Sequence, residues 1–177
     1  MKSRQTLPHL WLLSDARNEA FLVRSLKHLP RGSGFIFRHY HLSRPERRRR
    51  FRTLSRIARR YGHTVVLAGE TRLARAWRAD GAYGPPKALQ NASRMLHLAT
   101  AHDLTEIGQA NRSMANAVLL SPVFPTRSHP GARPLGPARF RLLAARSRIP
   151  VIALGGMTAD RARRLAWPAW AAIDGLA

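Results

Sequence analysis

Eight short apolar stretches, each passed on to a helix-period or polar segment, constrain this chain more than any other feature. IPVIALGG, Ile149 to Gly156, is the clearest. Nearly every position is apolar, so such a strand needs cover on both faces. HLWLLSD (9–15), FIFRHYHL (35–42), HTVVLAGE (63–70), GAYGPP (81–86), RMLHLATAHD (94–103), NAVLLSPVF (116–124) and PAWAAIDGLA (168–177) complete the set. Between them, apolar residues recur at helical spacing, as with Phe21, Leu22, Leu26 and Leu29. Strand–helix alternation with doubly covered strands predicts a parallel sheet under helices, an α/β protein. Eight strands predict a (β/α)8 TIM barrel, in one domain over 1–177. At 177 residues it is a trimmed barrel with a meagre fourth helix and no last helix, because the usual size is ~200 residues or more. A doubly wound open sheet is the alternative.

No cysteine is present, so disulfides and thiolate metal sites are excluded. No apolar run approaches the roughly 18 residues of a membrane helix. The start, MKSRQTLPHLWLLSD, reads as a first strand and not as a signal peptide, which predicts a cytoplasmic protein without a membrane partner. Thirty-one Lys and Arg stand against nine acids, a formal charge of +22. The cations are almost all arginine and scattered, apart from RPERRRRFRTLSRIARRYG at 44–62. There Phe51, Leu54, Ile57 and Ala58 recur at helical spacing, which assigns the arginines to a solvated face. A nucleic-acid partner is the less favoured reading of that segment.

In a parallel barrel, chemistry collects where strands end. ALGGMTADRA places Gly155 and Gly156 between a buried strand and a helix opening near Thr158. Glycine lets backbone amides approach a phosphate, and a helix start adds positive potential. The preceding strand runs into LLSPVFPTRSHPG, where Thr126, Arg127, Ser128 and His129 offer hydroxyls, charge and hydrogen bonds. A tight glycine turn and an ordinary polar turn are the plainer reading; together the two loops favour an anion loop and a small phosphorylated substrate.

LSPVFPTRSHPGARPLG followed by IPVIALGGMTADRARRL resembles the thiamine-phosphate synthase/TenI family of phosphate-binding barrels. The likeness is close from about Ala99 to Gly175, and in the first half it rests on order and spacing. It implies condensation of hydroxymethylpyrimidine diphosphate with thiazole phosphate, with pyrophosphate released and magnesium assisting. It also implies a phosphate on Gly155, Gly156 and the backbone at Ile173 and Asp174. Thr126 and Ser128 fall on loop threonines at the diphosphate side, Thr100 on a serine of the same site, and Arg38 on the family's arginine after strand two.

The departures from that pattern are specific. Ile36 and Tyr40 replace the glutamine and lysine that flank the arginine, and His129 replaces a loop lysine. Ala68-Gly69 replaces the Asn-Asp pair after strand three, and GPPKAL offers no acid after strand four. Magnesium, a hard cation needing oxygen ligands, thus lacks its usual aspartates, and no metal ligands are assigned. TenI-type tautomerases carry a histidine where this chain has Pro122. Arg38 and His129 are the catalytic candidates, with His102 a further titratable group. Three readings stand: a synthase-like transferase, a TenI-like thiazole phosphate tautomerase or binder, and a basic nucleic-acid-binding module. The absent last helix leads to one further expectation, a homo-oligomer that covers the barrel's end.

Overall fold

The computed structural model describes residues 7–89, 95–113, 115–127, 131, 133–174 and 176. Eight parallel strands close into one barrel in chain order. They are β1 (Leu10–Leu13), β2 (Gly34–Phe37), β3 (Thr64–Ala68), β4 (Gly81–Gly84), β5 (Leu96–Ala101), β6 (Ala117–Leu120), β7 (Val151–Ala153) and β8 (Trp170–Ala172). The helices are α1 (Leu22–His28), α2 (Arg44–Arg60), α3 (Thr71–Ala76), α4 (Leu104–Arg112), α5 (Gly136–Ala144) and α6 (Ala159–Leu165). A 3-10 turn, Pro86–Leu89, stands where a fourth crossover helix would lie, and β8 is the last regular element among the described residues. The fold is therefore a (β/α)8 barrel, not an open sheet. None of its helices is long and apolar enough to cross a membrane, among the described residues.

The apolar strands divide their residues between two cores. Leu13, Ile36, Val66, Leu98, Leu119 and Ile152 point into the barrel. Their chain neighbours Leu12, Phe35, Val65, Ala99, Val118 and Val151 point out to the helices. Period-two alternation with both faces apolar is what an all-parallel closed sheet requires. The largest inward side chain is Trp11, which is wholly buried and paired in register with Gly34. A Cβ at Gly34 would lie 2.1 Å from the indole ring, so the missing side chain leaves room for it. The indole N–H donates to the Pro8 carbonyl at 2.7 Å.

The strands stop earlier than the apolar pattern predicts. β2 ends at Phe37 rather than Leu42, because His39 adopts a left-handed φ of 40° and is drawn into side-chain bonds. The first helix opens as a 3-10 turn, Ala16–Phe21, capped by Asp15 and Asn18. The Asn18 amide donates to the carbonyls of Leu13 and Ile173, both at 2.9 Å, and so ties β1 to the segment after β8. Arg47 and Arg50 on α2 are half-buried, not on the solvated face. Arg47 donates to the carbonyls of Arg38 (2.7 Å) and Ala68 (2.6 Å) and lies over the rings of Tyr40 and Trp77.

Candidate functional site

A cavity of about 520 Å³ opens at the carboxyl ends of the strands, where barrel chemistry is usually placed. One wall is made by the loops after β6 and β7, which are joined by backbone bonds. Val123 donates to Leu154 O at 2.9 Å and Phe124 to Gly155 O at 3.1 Å. Arg161 of α6 secures the seam by donating to the Gly156 carbonyl and lying 5.0 Å from the Phe124 ring centroid. Both glycines have positive φ, 96° at Gly155 and 61° at Gly156. A Cβ at Gly155 would sit 2.6 Å from Pro122 Cα, and one at Gly156 would sit 2.4 Å from Pro125 O. Only glycine therefore permits the loops to approach this closely. Among the described residues, the amides of Gly155 and Gly156 donate to no acceptor in the protein. Two unspent N–H donors on a cavity wall suit an anion.

Across the mouth, charge is organised by arginines. Arg17 bonds Asp15 at 2.9 Å and reaches Asp174 at 3.5 Å. Arg127 reaches the same Asp174 oxygen at 3.4 Å, and Arg38 lies 3.8 Å from Asp15. The Asp15 carboxyl is pushed up by burial, but the bonds and charges of Arg17 and the charge of Arg38 outweigh this and hold it low. Asp174 thus brings to the wall a carboxylate that shares two guanidinium groups, where the resemblance supplies a serine.

Arg38 is fixed from behind. Its backbone N–H donates to Ser14 Oγ at 2.9 Å, and Ser14 Oγ lies 2.7 Å from His39 Nδ1. His39 Nε2 meets the Glu19 carboxylate, which also pairs with Arg50. A carboxylate at Nε2 places the proton there, so Ser14 O–H donates to Nδ1. The guanidinium of Arg38 stands 5.7 Å from the Tyr40 ring centroid, and Tyr83 lines the cavity beside them. Burial pushes the Tyr83 hydroxyl up to about 12, so it remains a protonated donor.

Burial also lowers the pKa of His39, against the pull of Glu19, and that of His97. A folded state with depressed histidines binds fewer protons than the unfolded chain. The stability they confer is present above the unfolded value of about 6.5 and lost as pH falls below it. Thermal melts between pH 8 and 5 should show Tm dropping below about pH 6.5, less steeply in His39→Gln. A Tm that rises on acidification contradicts this.

Arg38, Thr100, Thr126, Gly155, Gly156, Ile173 and Asp174 all border this same cavity. Ser128 and His129 lie outside the described residues. His102 also borders the cavity, with Nδ1 2.8 Å from Glu106. Ser14, Glu19 and the Arg161 clasp are additions to the residues expected from sequence. Parallel adjacency of β1 and β2 is the signal that brings Ser14 beside Arg38 and His39. No group of three His, Cys, Asp or Glu could hold a metal among the described residues. Asp15 and Asp174 are committed to arginines, and exposed Glu70 precedes α3 outside the cavity.

The family model for thiamine monophosphate synthase matches residues 13–177. A protein of Aquifex aeolicus (strain VF5), named "Putative thiamine-phosphate synthase 2", is 27% identical over 164 residues, 88% of each chain. The thiamine-phosphate synthase of Geobacillus thermodenitrificans (strain NG80-2) is 30% identical over 120 residues, 63% of this chain and 54% of that protein. Among solved structures, thiamine phosphate pyrophosphorylase from Pyrococcus furiosus has the same fold at a TM-score of 0.80. It is 24% identical, and the match covers 96% of this chain and 87% of that one. Matched from Leu13 to its final residue, the chain belongs to the thiamine monophosphate synthase family, a family of thiamine biosynthesis.

Proposed function

We propose that this chain is a synthase-like transferase that condenses hydroxymethylpyrimidine diphosphate with thiazole phosphate and releases pyrophosphate. The observation that carries the reading is the joined β6 and β7 loops, whose two glycine amides, undonated among the described residues, belong to the wall of a cavity that Arg38 also lines. The thiazole phosphate would rest on Gly155 and Gly156, with Thr126 on the diphosphate side. Arg38, fixed through Ser14 and His39, would neutralise charge that develops on the departing pyrophosphate, which a guanidinium fork suits. Tyr83 would add a neutral donor. In the reaction the carbon–oxygen bond to the diphosphate breaks, the thiazole nitrogen bonds to that carbon, and pyrophosphate leaves.

Ala68-Gly69 and GPPKAL, standing where the family carries its magnesium aspartates, favour a second reading, a TenI-like tautomerase or binder that takes thiazole phosphate alone. Formation of thiamine phosphate from the two substrates, with and without magnesium, separates the two. The transferase reading predicts product, and a loss of about 100-fold or more in Arg38→Ala, the scale of removing one such electrostatic donor. Thiazole phosphate binding without any product would leave only the second reading.

A further inference from the structure

The arginine segment of α2 forms a groove and not merely a wet helix face. Nine of its 17 residues are arginine and only Glu46 is acidic, so the helix cannot neutralise itself. Arg47 is spent on carbonyls, Arg50 on Glu19, and Arg59 on Asp80 and the Arg78 carbonyl. Arg44, Arg48, Arg52 and Arg56 follow at four-residue intervals, are exposed, and meet no carboxylate among the described residues. That interval advances about 6 Å along the axis. The exposed row lines a depression. With the end of α3 it walls two adjoining cavities of about 640 and 540 Å³, both bounded by Arg48, Arg52 and Trp77. The Trp77 indole is a fixed wall, held 5.5 Å from the Phe51 ring and under the Arg47 guanidinium.

We propose that the α2–α3 groove binds the phosphodiester backbone of a nucleic-acid strand, at a site separate from the barrel mouth. A regular row of guanidinium groups suits a polymer of charges rather than one phosphate, because each neutralised phosphate releases counterions. Guanidinium also matches phosphate geometry with two parallel donors. A lipid surface fits less well. Among the described residues, the exposed large apolar side chains are Phe21, Tyr40, Leu104 and Leu142, none of them on α2, so the row has no apolar edge to enter a bilayer. None of the groove residues borders the strand-end cavity, so the site stands whether or not the chain is a synthase.

The test is fluorescence anisotropy with a labelled RNA strand of about 20 nucleotides and a DNA strand of the same sequence, across a salt series. The combined variant Arg48→Gln, Arg52→Gln, Arg56→Gln is compared with Arg139→Gln, Arg146→Gln, Arg148→Gln. The second triple changes charge equally on and just after α5, half a turn round the barrel. The groove triple should weaken binding of RNA or DNA at least tenfold, and lower the salt slope by about 2 for three lost contacts to a single strand. The α5 triple should change affinity less than twofold. RNA and DNA affinities show which strand the groove prefers, and either supports the proposal. Equal losses from both triples overturn it, as does no strand binding at low salt. So does a loss confined to anionic phosphatidylserine vesicles.

Discussion

Gly155→Ala should lose at least 100-fold in affinity for thiazole phosphate while keeping the barrel. Its Cβ would be placed 2.6 Å from Pro122 Cα and 3.2 Å from Val123 N, both backbone atoms with no rotamer to change. The two loops would have to part, taking the bonds Val123–Leu154 and Phe124–Gly155 with them. A φ of 96° adds strain of about 2 kcal/mol for any side chain. Two misplaced amide bonds to a charged phosphate are worth about 3 kcal/mol together at the lower end of their range, which is about 100-fold in affinity. Gly32→Ala is the control. Its φ is 84°, yet nothing lies within 4 Å of the added Cβ. It should show the backbone strain in a denaturation curve and leave binding unchanged. If Gly155→Ala binds as the parent does, the glycine amides are not the anion site.

Trp11→Ala should cost about 4 kcal/mol in chemical denaturation, the scale for a wholly buried Trp emptied to Ala. Its register partners, Gly34 on β2 and Ala171 on β8, are small and cannot grow to refill the space. Gly34→Ala should cost about 3 kcal/mol by the opposite route, overpacking, because its Cβ would overlap the indole. The double variant tests whether the two residues form one unit. The methyl group added by Gly34→Ala then occupies space the ring has left, so the combined loss should fall short of the sum by about 1 kcal/mol or more, as contacting sites do. Strict additivity would mean that the ring does not lie against Gly34.

The eight strands were readable because a parallel barrel demands apolar residues on both faces, and IPVIALGG or NAVLLSPVF can satisfy little else. Strand ends were less so. Composition carries FIFRHYHL on to Leu42, whereas Arg38 and His39 turn away to Ser14 and Glu19. Those partners lie 20 to 25 residues away in the chain, and only the pairing of β1 with β2 brings them together. Gly155 and Gly156 were readable as either a tight turn or an anion loop, and only the hydroxyls of the loop after β6 favoured the second. The glycines' close contact with Pro122 and Pro125 was not readable, since it depends on β6 and β7 being neighbours. The arginines of α2 read as one solvated face from periodicity alone. Periodicity cannot show that Trp77 from the next helix turns part of that face into a groove.

The most direct measurement is a titration of ¹⁵N-labelled protein with thiazole phosphate, followed at the Gly155 and Gly156 amides. Both cross-peaks should move downfield, saturating together with the heat released in calorimetry, while amides along α2 stay in place. Saturable binding that leaves those two amides unmoved, or no binding at all, would contradict a phosphate seated between the β6 and β7 loops.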